Sequence, residues 1–261
     1  MKRRSLLRLT GASFLSSFLA AFPAPSANAA PRNFSRTSST QWGYTGDTSP
    51  EHWGELAPEF RICQTGQQQT PIDLTEAPVV EPDHLEIHYQ PTSLHITHNT
   101  RTIQVNYAPG SHIVFQGETF HLKQFHFHHP SEHFVLGKPY DLELHLVHQS
   151  AAGKLAVVGV FAQIGASHAA LKPIWDAMPP EPQTVEVKTS INAAHLLPTD
   201  RQFYEYRGSL STPPCSEDVL WFVMAQPIEV SAEQVNQFAA LFPHNARPIQ
   251  PKGDRIIKHS I

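Results

Sequence analysis

The sequence predicts a single mixed α/β domain built on a large, mainly antiparallel twisted central β-sheet with short peripheral helices. Three observations carry that expectation. Apolar and polar residues alternate with the two-residue period of strands in residues 85–89, 94–96, 102–107, 119–122, 124–128 and 142–147. The strand candidates follow one another without the helical crossovers of a doubly wound or (β/α)8 chain. Helical signals are short and few.

Taken in order, residues 30–40 are polar and read as a flexible leader, and the folded part is expected to run from 41 to 261. Pro50-Glu51-His52-Trp53 suggests a tight turn or short helix. After the strand candidates at 85–89, 94–96 and 102–107, residues 112–115 and 119–122 flank Gln116-Gly117-Glu118, a hairpin turn. The strand at 124–128 follows, and Pro130 breaks the pattern before 142–147. Residues 155–163 are apolar and rich in Val, as expected of a buried central strand, and 221–224 form another. Residues 169–177 read as a surface helix. Ser231 with Gln234 three positions on is a capping box, and predicts a helix reaching about Phe242.

Residues 1–29 read as a targeting segment. Lys2, Arg3, Arg4 and Arg8 give a positive start, 6–22 is mostly apolar, and Ala27-Asn28-Ala29 is an A-x-A cleavage signal. The adjacent Arg3-Arg4 favours a twin-arginine route, and the expected location is the periplasm or outside the cell. Removing those four basic residues from 19 basic and 23 acidic leaves the remainder at a formal charge of −8. Nucleic acid and anionic membrane surfaces are therefore poor partners, and no other run is long enough to span a membrane. The two cysteines, Cys63 and Cys215, suggest a disulfide in an exported chain, the alternative being two free buried thiols. Such a long closure is worth about 4–5 kcal/mol in the chain-entropy description, before native strain.

The chemistry concentrates in Gln124-Phe125-His126-Phe127-His128 and Glu143-Leu144-His145. On strands, His126 and His128 share one face, while Phe125 and Phe127 take the other. A lone His-x-His could be solvated histidines on an alternating strand. A second strand carrying His145 beside Glu143, flanked by Leu144 and Leu146, points to burial, where unpaired imidazoles are expensive. Three imidazoles with an open fourth position describe a catalytic zinc site. Gln124 and Glu143 stand two residues before a ligand histidine, where they could hold an imidazole N–H, though spacing does not assign which. Gly208-Ser209-Leu210-Ser211-Thr212-Pro213-Pro214-Cys215 is a rigid turn with Ser and Thr hydroxyls that could be held steadily, but by itself it reads more readily as an ordinary Ser/Thr/Pro loop.

With these segments the chain resembles the α-class carbonic anhydrases of exported bacterial type. The pattern runs through Trp42-Gly43-Tyr44, Pro50 to Trp53, Gln69-Thr70-Pro71-Ile72-Asp73, Gln124 to His128, Ser131-Glu132-His133, Glu143 to His148, Gly208 to Cys215, Glu217, Trp221 and Asn245-Ala246-Arg247-Pro248. The resemblance implies a zinc lyase that interconverts carbon dioxide and water with bicarbonate and a proton, inhibited by sulfonamides and small anions. It makes His126, His128 and His145 the Zn2+ ligands, with Gln124 and Glu143 behind them. Ser211 stands where the family usually has a threonine that orients the attacking oxygen and donates to a buried glutamate, here Glu132. Thr212 falls near the bicarbonate position, Tyr44 at a site-lining tyrosine, and Val147, Val157, Leu210 and Trp221 in the apolar carbon dioxide pocket. Cys63 and Cys215 match the disulfide of exported members. Arg101 occupies the place of the usual proton-shuttle histidine, and a guanidinium does not relay protons near neutral pH. His98, His129 and Tyr44 are the other groups to weigh for that step. A homodimer is one expected assembly. The rival readings are a weak zinc esterase and a binding module on the same fold; a lost ligand histidine would mark the latter, and all three are present.

Overall fold

The computed structural model describes residues 41–75 and 84–260. The signal segment expected at 1–29 and the leader expected at 30–40 lie outside the described residues. The strands are β1 (Leu85–His88), β2 (Thr92–His98), β3 (Ile103–Asn106), β4 (His112–Phe115), β5 (Glu118–His128), β6 (Leu142–Ser150), β7 (Leu155–Ile164), β8 (Gln183–Ile191), β9 (Phe203–Gly208), β10 (Val219–Val230) and β11 (Lys258–His259). They form one sheet in the order β11-β9-β10-β7-β6-β5-β3-β2-β8, and β4 joins β1 to the outer half of β5. Every pairing is antiparallel except β7 with β10. The fold class expected from the sequence is the one observed.

Alternation explains how the sheet is buried. On β6, Leu142, Leu144 and Leu146 face one way, into a core completed by Phe125, Phe127, Val158, Val160, Phe222 and Phe238. Glu143, His145 and Val147 face the other way, beside a second apolar cluster of Val157, Phe161, Tyr206, Trp221 and Val223. A one-residue slip would exchange these sets, so the leucines that fix the register also fix the histidines. His148 falls on the leucine face and is fully buried. Its Nε2 lies 2.8 Å from the Tyr89 hydroxyl, and burial pulls its pKa down to about 3.

Of the helices, α1 (Trp53–Leu56) and α2 (Ile62–Thr65) are single turns. The surface helix expected at 169–177 shrinks to α3 (Lys172–Asp176). The capping box of Ser231 and Gln234 forms and opens α4 (Ala232–Leu241), which places Phe238 in the core. The turn at Gln116 and Gly117 has positive φ at both residues (49° and 78°), the pair of values a two-residue hairpin needs.

Two features differ from the sequence expectation, while the expected Cys63–Cys215 disulfide is formed. The strands expected at 119–122 and 124–128 are one strand, β5, whose register with β6 shifts between Leu122 and Gln124. That extra residue reads in sequence as a break. β8 and β9 were not expected: β8 is exposed along most of its length, although Val185, Val187 and Ile191 alternate with polar residues, a strand signal the sequence reading passed over. Cys63 on α2 is bonded to Cys215, with Cα atoms 5.0 Å apart, and this bridge sits with Trp53 in a third small cluster. Among the described residues no helix is long and apolar enough to cross a membrane.

Candidate metal centre

The register places His126 of β5 directly opposite His145 of β6, and His128 opposite Glu143. The rings of His126, His128 and His145 stand 4.5–5.4 Å apart, centroid to centroid. One nitrogen from each imidazole falls within a sphere of mutual separations no greater than 4.8 Å.

The opposite nitrogen of every ring is engaged. His126 Nδ1–H donates to Gln124 Oε1 (2.9 Å), His128 Nδ1–H to the Asn245 carbonyl (2.7 Å) and His145 Nε2–H to Glu143 Oε1 (2.8 Å). Each acceptor fixes a tautomer, leaving Nε2 of His126, Nε2 of His128 and Nδ1 of His145 with free lone pairs. His128 Nε2 is buried without a hydrogen-bond partner, the state of a nitrogen shaped to bind something other than protein. Three neutral, convergent imidazoles fit Zn2+. Burial, reinforced by the neighbouring rings, holds His126 well below the usual imidazole range, and burial also lowers His128 against the pull of Glu132. For His145 burial acts downward, but the carboxylate of Glu143 outweighs it and the pKa is raised.

Glu143 organises more than its ligand. Its Oε2 accepts the backbone N–H groups of Glu132 and His133 (both 2.8 Å), and its Oε1 also accepts His133 Nδ1–H at 2.7 Å. Burial would raise its pKa, yet His133 and His145 hold it well below the carboxylate range. The alternative metal group of His133, Glu143 and His145 is therefore already saturated, since His133 Nε2 also lies 2.6 Å from the Tyr206 hydroxyl. On β7, the residue opposite His145 is Gly159, and a Cβ there would stand 3.2 Å from Glu143 Oε1.

Glu132 is fully buried, with Oε1 accepting the Arg247 backbone N–H at 2.8 Å and Oε2 lying 3.8 Å from His145 Nδ1. Its Oε2 has no hydrogen-bond partner. The expected Ser211–Glu132 hydrogen bond is therefore not formed, although Ser211 is buried in the turn after β9. Serine lacks the γ-methyl that would fix its hydroxyl in one rotamer. Val157 and Trp221 are buried and Val147 and Leu210 partly so, all in the cluster that flanks His145. The Trp221 ring stands 4.8 Å from that of His145, and its Nε1–H donates to the Ser209 carbonyl.

Tyr44, Arg101, Thr212, Gln124, His126 and His128 line one cavity of about 140 Å3. Tyr44 packs edge-on against Trp42 and Trp53, and burial raises its pKa well above the ordinary value. Two of the groups weighed for proton transfer point elsewhere. His98 is buried against Phe242 (4.9 Å), with Nδ1 accepting the Thr100 N–H, and His129 Nδ1–H donates to the Pro243 carbonyl. A larger open groove of about 970 Å3, bordered by His168, His195 and Glu229, lies apart from the histidine triad.

The eukaryotic-type carbonic anhydrase family profile matches residues 48–261. The chain belongs to that family. A carbonic anhydrase of Nostoc sp. is 49% identical over 99% of this chain and 98% of its own length. One from Pectobacterium carotovorum is 43% identical over 86% of this chain and 93% of its own. Among solved structures, a hyperthermostable carbonic anhydrase from a hydrothermal vent chimney superposes with a TM-score of 0.83 at 42% identity, covering 85% of this chain and all of that one. The Thermovibrio ammonificans α-carbonic anhydrase in complex with sulfanilamide gives 0.81 at 41% identity, covering 84% and 99%.

Within this carbonic anhydrase fold, two supporting residues carry weight that sequence reasoning left unassigned. Asn245 supplies the carbonyl for His128, accepts the His129 N–H on Oδ1 and donates from Nδ2 to the Arg101 and Phe127 carbonyls. Arg247, also buried, donates to Gln69 Oε1 and to the Thr70 and Cys63 carbonyls while its own N–H holds Glu132. The signal was present in Asn245-Ala246-Arg247-Pro248. Nothing local tied it to residues more than a hundred positions away.

Proposed function

We propose that this protein catalyses the reversible reaction CO2 + H2O ⇌ HCO3− + H+ at a Zn2+ ion held by His126, His128 and His145. The observation that carries the reading is the set of three lone pairs left convergent by Gln124, Asn245 and Glu143, with an apolar wall alongside. Zinc, when bound, supplies Lewis acidity that brings a water's pKa to about 7, a figure for which carbonic anhydrases are themselves the reference case.

The remaining work falls to the chain. Val147, Val157, Leu210 and Trp221 offer carbon dioxide, which lacks a dipole, an apolar surface that bicarbonate does not favour. Glu132 is an acceptor only, and with Oε1 committed to Arg247 its Oε2 is left for the Ser211 hydroxyl proton. A Ser211 oxygen that donates there can accept only from the attacking oxygen, which fixes where that oxygen's proton points. Thr212 and Tyr44 line the polar side of the cavity, where bicarbonate forms. The proton must then leave past Arg101, whose guanidinium stays protonated at neutral pH and so cannot accept it.

The same reading places the protein in the periplasm or outside the cell, supported by the positive, apolar and A-x-A order of residues 1–29. Sulfonamides are expected inhibitors, since the Thermovibrio ammonificans relative binds sulfanilamide. Stopped-flow carbon dioxide hydration by the zinc-loaded mature protein tests the proposal. Turnover inhibited by sulfanilamide supports it, and background hydration with one zinc bound refutes it.

A further inference from the structure

A second set of histidines lies outside the catalytic triad. Pairing sets His88 of β1 opposite His112 of β4, and His112 opposite His121 of β5, so three imidazoles stand side by side in one cross-strand row. The His88 and His112 rings are 4.9 Å apart and the His112 and His121 rings 6.0 Å apart. The first spacing falls inside the 4.5–5.4 Å range of the catalytic triad. His121 and His126 are five positions apart on β5, about 16 Å at strand rise, so the row is separate from the catalytic centre.

The row also has supporting acceptors of the kind that metal ligands carry. His88 Nε2–H donates to Glu86 Oε2 at 3.2 Å, and His112 Nδ1–H donates to the Gly110 carbonyl at 3.2 Å. Each acceptor occupies one nitrogen and leaves the other, His88 Nδ1 and His112 Nε2, with a free lone pair. The Glu86 carboxylate adds negative charge beside the row.

We propose that His88 and His112 bind a divalent transition-metal ion, such as Cu2+ or Zn2+, as a pair of imidazoles with Glu86 orienting His88. Two imidazoles on an exposed surface, with water completing the shell, suit Cu2+ best by ligand type and affinity order.

The test is titration of the zinc-loaded full chain with Cu2+, followed by electron paramagnetic resonance, with retained zinc measured in parallel. One Cu2+ equivalent beyond the zinc, with coupling to two nitrogens, is expected. His112→Ala and His88→Ala should each weaken binding at least about tenfold, and Glu86→Gln about tenfold through loss of the orienting carboxylate. All three should leave carbon dioxide hydration unchanged. The proposal is overturned if no Cu2+ binds beyond the zinc, or if uptake and spectrum are the same in His112→Ala as in the parent. Zinc release in step with Cu2+ uptake also overturns it, since the copper would then occupy the catalytic triad.

Discussion

The Arg101 guanidinium lies over the Trp42 ring, its carbon 4.2 Å from the centroid, and its Nε–H donates to the Trp42 carbonyl at 3.2 Å. The side chain that the resemblance puts in the place of a proton-transfer histidine is thus held at the cavity wall. Burial draws its pKa down from the ordinary arginine value, but a guanidinium stays charged throughout the working pH range. Proton exit is therefore expected to limit kcat at low buffer. Arg101→His should raise kcat under those conditions by up to on the order of 100-fold while leaving kcat/KM nearly unchanged. Equal kcat values for the two proteins across a buffer series would show that another route carries the proton.

Glu132 Oε2 is buried, unpartnered and 3.8 Å from His145 Nδ1, and no hydrogen bond joins it to the Ser211 hydroxyl. Ser211→Ala is expected to lower kcat/KM by about 100-fold or more, the usual cost of losing one positioned hydrogen-bonding group. Ser211→Thr should raise it, because the added methyl restricts the rotor. Steady-state kinetics in saturating buffer separates the two variants from the proton-exit step. A threonine variant slower than the parent would contradict the role given to this pair.

Glu143 makes four hydrogen bonds and leaves no slack around His145. Glu143→Ala is expected to weaken zinc affinity by about 10–100-fold, and Gln124→Ala, which frees only His126, by less. Gly159→Ala should weaken it too, since its Cβ would press on Glu143 Oε1 and Val223. Competition against a metallochromic chelator measures all three. Unchanged affinity in Glu143→Ala would remove its assigned role.

His148 titrates near 3 when folded, because it is buried among leucines, and near 6.5 when unfolded. Between those values the unfolded chain binds one proton more than the native chain, so stability is full above about pH 6.5 and falls as pH drops toward 3. The slope from this one group is about 1.4 kcal/mol per pH unit. Urea midpoints measured from pH 7 to 4 should therefore fall less steeply in His148→Gln than in the parent. Identical slopes would show that His148 takes up its proton without unfolding.

The ligand triad was legible because strand period alone puts His126, His128 and His145 on one face once two strands pair. The capping box at Ser231 was legible for a similar local reason, whereas the apolar wall could be named only by resemblance. What held each ligand was only half legible. Gln124 and Glu143 could be named from i−2 spacing, but the carbonyl that fixes His128 comes from Asn245, 117 positions away. Ser211 and Glu132 could be paired only by resemblance, and the rotor of a serine is not written in its position. The row of His88, His112 and His121 depends on β4 pairing with both β1 and β5. No local pattern announces that arrangement.

The central claim is that catalysis resides in zinc held by three histidines. Stopped-flow carbon dioxide hydration on metal-depleted protein, titrated with Zn2+ and repeated on His128→Ala, tests it most directly. Activity should be absent without metal and return in full at one bound equivalent in the triad. In His128→Ala it should stay at least about 100-fold lower at the same added zinc. Full hydration by the depleted protein, or by His128→Ala, would contradict the account.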